Sequence, residues 1–307
     1  MPTANFIVDS LPAYVQENRD LLLKNFGLIG EGTRSRIGLQ TGIKSKEHLN
    51  YLEIVPTLQD GSVCELEPIG TATLTNREIE TAWIEVLMSI CPKKLIGKWA
   101  EYLVRANANA ESLPFDQYIV DGLVKEINKK IEFLIWQGNK TQTSDPNKKW
   151  IDGLMKIIFA DGVQVNYTTA TTILGKLQEF YAGISEVALN RGCEIYVAPS
   201  TYRAFLMELV NANLYHYPSA ESGEFPKEYF LPGTDVKVVM TEGLVGADSM
   251  AFATFPANLI YGCDMENDQE DVAIKYDPIK EVFYVKALWN SGVQVAFPGL
   301  AYWMDLG

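Results

Sequence analysis

The sequence has 307 residues, of which 47% are apolar and 21% charged, a balance that suits a globular chain with a sizeable core and excludes a disordered one. At about 150 residues per domain, that length allows two domains, or one large domain with excursions. Its 39 acidic and 26 basic side chains leave a formal net charge of −13, which argues against gripping nucleic acid through neutralised phosphates but not against a wall that surrounds it.

Taken in chain order, residues 9–26 can form a helix, ended by Gly27 and the glycines at 30 and 32. Strand signals follow over 36–89. Residues 37–43 alternate with period two, 52–55 form a short apolar run, and Gln59-Asp60-Gly61-Ser62 reads as a turn. A third run, 71–75, leads into 79–90. The stretch before Trp83 carries few large apolar side chains, so a hairpin built from it needs a partner surface. Cys91-Pro92 opens a helix in which Leu95, Trp99 and Leu103 repeat at four.

The clearest helix is 115–136. Phe115, Ile119, Leu123, Ile127, Ile131 and Leu134 make one apolar stripe about 33 Å long, and Gly138 ends it. Residues 138–147 are the most linker-like stretch. Residues 168–191 read as one helix, with Ile173, Leu177, Phe180, Ile184 and Val187 on a face and Gly192 as its stop. A strand over 194–198 is followed by a helix with Ser200 as N-cap and Tyr202, Phe205, Leu206, Leu209 and Val210 as its apolar stripe. Strands are expected at 236–240 and 250–255, then a hairpin of 272–276 and 282–297 turned at Asp277-Pro278-Ile279-Lys280. Asn290-Ser291-Gly292 reads as a bulge or bend in the last strand. The fold class is α+β, with helices in the middle of the chain and strands towards both ends.

The sequence offers little to a catalytic or membrane reading. No apolar run approaches the roughly 20 residues of a membrane helix. Met1-Pro2-Thr3-Ala4-Asn5 lacks a basic region followed by an apolar core, so export is not expected. The phosphate-loop, dinucleotide, nucleophile-elbow and zinc-protease patterns are missing. Cys64, Cys91, Cys193 and Cys263 lie 27, 102 and 70 residues apart, so reduced, buried or half-buried thiols are expected rather than a zinc site. His48, placed in a polar loop, and His216, after a helix end, read as ordinary histidines. The acids of 264–271 read as a solvated turn, since Gln269 and Lys275 stand where a calcium loop needs Gly and Glu. The aromatic residues are spread along the chain, as core or interface packing requires. No catalytic, cofactor-binding or metal-ligating residue is assigned, and no cofactor is expected.

The order of elements, taken with several local runs, resembles the major capsid proteins of tailed bacteriophages, the Hong Kong 97-like fold. Gly70-Thr71-Ala72-Thr73-Leu74-Thr75-Asn76-Arg77 through Leu95 is similar to the passage after the family's extended loop. Ile135-Trp136-Gln137-Gly138-Asn139 resembles the end of its spine helix. Ile195-Tyr196-Val197-Ala198-Pro199-Ser200-Thr201-Tyr202-Arg203, Leu231-Pro232-Gly233-Thr234 and Asn258-Leu259-Ile260-Tyr261-Gly262 resemble units of its axial domain, and 282–303 its closing strands. The resemblance covers nearly the whole chain.

It implies an N-terminal arm over 1–35, an extended loop over 36–69, a peripheral domain with the spine helix over 70–139 and 261–307, and an axial domain over 140–260. It implies a structural protein with no enzymatic activity, which self-assembles into pentamers and hexamers of an icosahedral shell around double-stranded DNA without reading its sequence. Other copies of the chain, a portal protein and a separate scaffolding or decoration protein are the implied partners. Its place is the virion, assembled in the host cytoplasm. The hairpin begins by residue 36, so no long scaffold segment precedes it. Lys44 or Lys46 with Asn290 are the residues a Lys–Asn crosslink between subunits would use. An encapsulin-type cargo shell, a soluble cytosolic enzyme and a carbohydrate-binding module are the alternatives.

Overall fold

The computed structural model describes residues 32–58, 70–91, 115–214, 227–264 and 271–307. The expected helices at 9–26 and after Cys91-Pro92, the turn at 59–62, Cys64, His216 and the acids of 265–270 lie outside the described residues.

Three sheets organise the described residues. Gly38–Gln40 (β1), Leu259–Gly262 (β10), Val282–Val295 (β12) and Asp271–Asp277 (β11) form one in the order β1-β10-β12-β11, with Ala82–Ile90 (β4) also paired to β12. Lys46–Val55 (β2) and Thr71–Glu80 (β3) pair only with each other, over ten residue pairs from Lys46↔Glu80 to Val55↔Thr71. The third sheet runs β5-β13-β9-β6-β8-β7, from Val163–Gln164 (β5), Tyr302–Asp305 (β13), Met250–Thr254 (β9), Glu194–Val197 (β6), Lys237–Met240 (β8) and Glu228–Phe230 (β7). The last strand thus leaves the sheet of β12 and pairs with β9.

The six-stranded sheet is buried on both faces, and its alternation assigns the residues. Tyr196, Val239 and Phe252 point to a core shared with the long helix Phe115–Gln137 (α1) and Leu154–Asp161 (α2). Ile195, Val197, Val238, Ala251 and Ala253 point to a second core under Ile173–Ala182 (α3), Glu186–Leu189 (α4) and Pro199–Asn211 (α5). Ile127, Ile131, Leu134 and Trp136 of α1 meet Phe283, Val285 and Trp289 of β12 in the first core. Each such side chain contributes about 1.5–3 kcal/mol by leaving water. Ile127, Ile131 and Leu134 of the α1 stripe are therefore buried as its spacing predicts, Leu123 packs half-buried against the same core, and Gly138 stops the helix.

Several expectations need correction. Residues 168–191 form two helices. Thr172 caps α3 by accepting from Gly175 N at 3.1 Å, and α3 ends at Gly183, where a Cβ would stand 2.4 Å from Val165 Cγ1. Ser185 then caps the short α4. Ser200 is not the cap of α5. Ala198 takes that place ahead of Pro199, and the Ser200 hydroxyl donates to Asp248 Oδ1 at 2.5 Å. Val210 is 52% exposed, off the buried stripe of α5. His48 lies in strand β2 rather than in a loop. Asp264 is fully buried, not part of a solvated turn. β12 passes through Asn290-Ser291-Gly292 without a bulge, and it changes partners there from β11 to β10 on one flank. The glycine answers a close approach: a Cβ on Gly292 would meet Glu80 O at 2.2 Å. α2, β5 and β7 have no counterpart among the sequence expectations.

Candidate functional site

The segment 32–45 crosses from the long helix to the base of the isolated hairpin, and the buried polar side chains of Thr33, Arg34, Thr81, Glu132 and Asn290 gather along it. Gly32–Ser35 forms one turn of 3-10 helix, with Gly32 at φ +80°. Thr33 N donates to Glu132 Oε1 at 3.0 Å, the Thr33 hydroxyl donates to the same oxygen, and Trp136 Nε1 donates to Thr33 Oγ1 at 2.7 Å. A Cβ at Gly32 would come within 3.2 Å of Glu132 Oε1, so the carboxyl packs against bare backbone. Burial raises the Glu132 carboxyl above its ordinary range, with the two Thr33 bonds and the Arg34 charge pulling the other way. Arg34 Nη2 donates to Asn128 Oδ1 at 2.8 Å and its guanidinium lies 6.0 Å from the Tyr261 ring.

The next residue ties the segment to the six-stranded sheet. Arg36 pairs with Glu194 of β6 at 3.2 Å and with Glu228 of β7, and Lys237 of β8 holds the other Glu228 oxygen at 2.8 Å. The Lys237 hydrogen bond, followed by the one from Arg36, lowers the Glu228 carboxyl against the opposing effect of burial. A cavity of about 160 Å³ opens beside this network, lined among others by Ser35, Arg36, Tyr196, Lys227 and Thr241.

Among the described residues, the hairpin is anchored at its base. Ile43, Leu49 and Ile79 form a small cluster of their own with Ile260 against it. Thr81 N donates to Ser45 O at 2.8 Å, Asn290 Nδ2 to Ile43 O at 3.2 Å, and Gln294 Nε2 to Glu78 O at 2.6 Å. Arg77 reaches Asp161 of α2 at 2.7 Å. Asn290 is 1% exposed and spends its amide on its own chain, while the Lys46 ammonium sits on Glu78 at 2.6 Å. Asn290 and Lys46 are therefore engaged within one subunit.

The residues weighed for chemistry are not brought together. His48 Nδ1 lies 3.1 Å from Asn76 Oδ1 on the exposed hairpin. Cys193 and Cys263 are buried, Cys91 is half-buried, and none of the three is in a disulfide. Burial, with the Glu194 charge, pushes the Cys193 thiol up to about 12, the reverse of an activated nucleophile. Among the described residues, no group of three or more His, Cys, Asp or Glu side chains could hold a metal ion, and no helix is long and apolar enough to cross a membrane. The geometry builds joints: segment 32–36 to helix and to sheet, hairpin to sheet. Sequence reasoning did not single out Thr33, Arg36, Glu132, Glu194 or Glu228. The one local signal was an acid, Glu132, between Ile131 and Phe133 in an otherwise apolar stretch of helix.

No family model and no curated protein matches the sequence. Solved structures do match the fold. A chain of the satellite phage P4 procapsid that includes the size determination protein is 14% identical, with 95% of this chain and 99% of that one covered at a TM-score of 0.56. A chain from Gordonia phage Cozz is 13% identical over 90% of this chain and 86% of its own, also at 0.56. A chain of the virus-like particle from Pyrococcus furiosus is 9% identical over 95% and 99%, at 0.53. With the long helix, the isolated hairpin and the two larger sheets in the order described above, these matches establish that the chain has the Hong Kong 97-like capsid fold.

Proposed function

We propose that this chain is a structural shell protein, the major capsid subunit of a tailed-phage-type virion, which assembles into pentamers and hexamers of a closed icosahedral shell around double-stranded DNA. The observation that carries this reading is the β2–β3 hairpin. Its ten residue pairs lie outside both larger sheets, and among the described residues it brings only Leu49 and Ile79 to a small buried cluster with Ile43 at the base. A two-stranded hairpin of that length is marginal alone in water. A neighbouring copy that covers it makes a heterologous contact, and such contacts close into rings. The absence of a motif for chemistry and the two well-filled cores fit a mechanical role.

In this reading, 1–35 is the N-terminal arm, 36–69 leads through the extended loop, 70–139 and 261–307 make the peripheral domain, and 140–260 the axial domain. Portal and scaffolding proteins are the further partners, and assembly takes place in the host cytoplasm. The test is the size of the purified full chain by light scattering and negative-stain microscopy, with and without a co-expressed scaffold. Rings of five and six or hollow shells are expected. A monomer or dimer near 34.3 kDa per chain under both conditions overturns the reading.

A further inference from the structure

The basic side chains are not evenly spread. Residues 125–156 hold seven lysines against four acids, in a chain of net charge −13. On α1, Lys125, Lys129, Phe133 and Gln137 follow one another at spacing four, a row along one face about 18 Å long. Lys130 flanks it, three residues before Phe133. The turn region 138–152 folds back on this row: Asn139 N donates to Lys148 O at 2.7 Å and Gly153 N to Gly138 O at 2.8 Å. Lys148 Nζ stands 5.1 Å from the centre of the Phe133 ring and 3.4 Å from Gln137 Oε1. The Lys149 ammonium lies 4.9 Å from the Trp150 ring, which is 41% exposed while its indole N–H is taken by Pro146 O at 2.8 Å.

Pairing divides these lysines into two groups. Lys129 is held by Glu126 at 2.8 Å, Lys156 by Asp152 at 2.7 Å and Lys140 by Glu80. Among the described residues, Lys125, Lys130, Lys148 and Lys149 have no carboxylate within 4 Å. A chain with thirteen surplus acids has left four cations and an open indole on α1 and the turn that folds back on it through Lys148. Scattered helix lysines are usually just a solvated face. Here two of them lie against aromatic rings, which fixes their position at a cost in side-chain entropy.

We propose that this strip, running from Lys125 to Lys130 on α1 and on to Lys148, Lys149 and Trp150, is an interaction surface for the phosphate backbone of nucleic acid. The inference rests on the shell reading in one respect: in an assembled shell it assigns this face to the enclosed polyanion. The residue types select the partner. Lysine is a point charge that contacts phosphate without a fixed geometry, which suits binding without sequence readout. With four phosphates engaged, affinity falls about a hundredfold between about 50 and 200 mM salt. Contact of that kind is weak at physiological salt, as a wall that must fill and empty requires.

The test uses the full chain in its unassembled fraction and a short fluorescent DNA duplex, with anisotropy read across the salt range. One variant carries Lys125→Gln, Lys130→Gln, Lys148→Gln and Lys149→Gln. A second carries Lys44→Gln, Lys227→Gln, Lys275→Gln and Lys280→Gln, which removes the same charge elsewhere. Melting curves check that both fold. The first variant is expected to lose at least about tenfold in affinity and most of the salt slope, while the second stays close to the parent. Equal losses in both variants, no loss in the first, or binding of polyglutamate in place of DNA overturns the proposal. Particle size is scored separately. Shells formed by a chain that does not bind DNA defeat the strip alone, whereas DNA binding by a chain that never assembles supports the strip and defeats the shell reading.

Discussion

Thr33 donates its backbone N–H to Glu132 Oε1 at 3.0 Å across 99 residues of chain, and Trp136, one helical turn on from Glu132, donates to the Thr33 hydroxyl. Two aligned side chains of α1 thus hold the first described turn in place. Glu132→Ala leaves Thr33 N–H buried without its acceptor, and we expect a loss of about 1–3 kcal/mol in denaturant unfolding. Glu132→Gln keeps the acceptor oxygen and should lose far less. The carboxyl has its folded value raised above the ordinary 4.5, so the native state binds the proton more tightly. Stability from this group is full below about 4.5 and declines as pH rises through the folded value. The Gln variant should lack that decline, as melting temperatures at mildly acidic and mildly alkaline pH would reveal.

Gly292 faces the carbonyl of Glu80 and the Cα of Thr81, which an added Cβ would meet at 2.2 and 3.0 Å. Both neighbours are backbone at the junction of β3 and β4, so neither can swing aside. Gly292→Ala should cost about 1–3 kcal/mol in denaturant unfolding through overpacking. A melting temperature equal to that of the parent would show that this junction yields.

On the shell reading proposed above, the β2–β3 hairpin contributes to assembly rather than to the stability of the subunit. Joining Asn50 to Asn76, which oppose each other in the register, through an Asn-Gly turn keeps Leu49 and Ile79 at the base. The shortened chain should melt within a few degrees of the parent and form no rings or shells. Shells of normal size from this variant would move the assembly contacts elsewhere.

Arg36 links the N-terminal segment to two strands of the six-stranded sheet. Its pairs are partly exposed, with side-chain exposures of 27%, 13% and 36% for Arg36, Glu194 and Glu228, so Arg36→Met should cost only about 1 kcal/mol. The pH dependence is the sharper readout. The Glu228 carboxyl is held below its usual 4.5, first by Lys237 and then by Arg36. Its stabilisation is present above about 4.5 and is lost as pH falls through the lowered folded value. Removal of the guanidinium should flatten the acid limb of the stability curve, measured by urea unfolding from pH 6 downwards to about 3.

The buried thiols give a chemical probe of the same fold. Cys193, with its thiol near 12, and Cys263, fully buried, should resist a water-soluble maleimide at pH 8 until the chain unfolds, and Cys91 should react first of the three. Peptide mass mapping distinguishes the sites. Early labelling of Cys193 would mean that the core beneath α5 opens.

How much of this was legible in the residues depends on the range of the force involved. The period of α1 placed Ile127, Ile131 and Leu134 in the core because a 3.6-residue repeat acts within one element. The 272–297 hairpin was legible for the same reason, through its alternation and its Asp277-Pro278 turn. Where a long-range contact overrode a local pattern, the reading went astray. The helix expected over 168–191 breaks where Val165 leaves no room for a Cβ at Gly183. Ser200 serves Asp248 rather than its own helix. Asn290-Ser291-Gly292, which locally reads as a bend, is straight because the backbone of Glu80 lies against it.

The sequence by itself determined the class of elements, their order and the long helix. These follow from periodicity, turn residues and composition, all of which act between near neighbours in the chain. Only the tertiary structure decided that β13 returns to the six-stranded sheet, that Glu132 and Arg36 hold the N-terminal segment, and that the lysines of α1 and of the following turn share one strip. Each of these joins residues tens to hundreds of positions apart. Pairing at that range is selected by the packing of whole surfaces, for which no local pattern carries a mark.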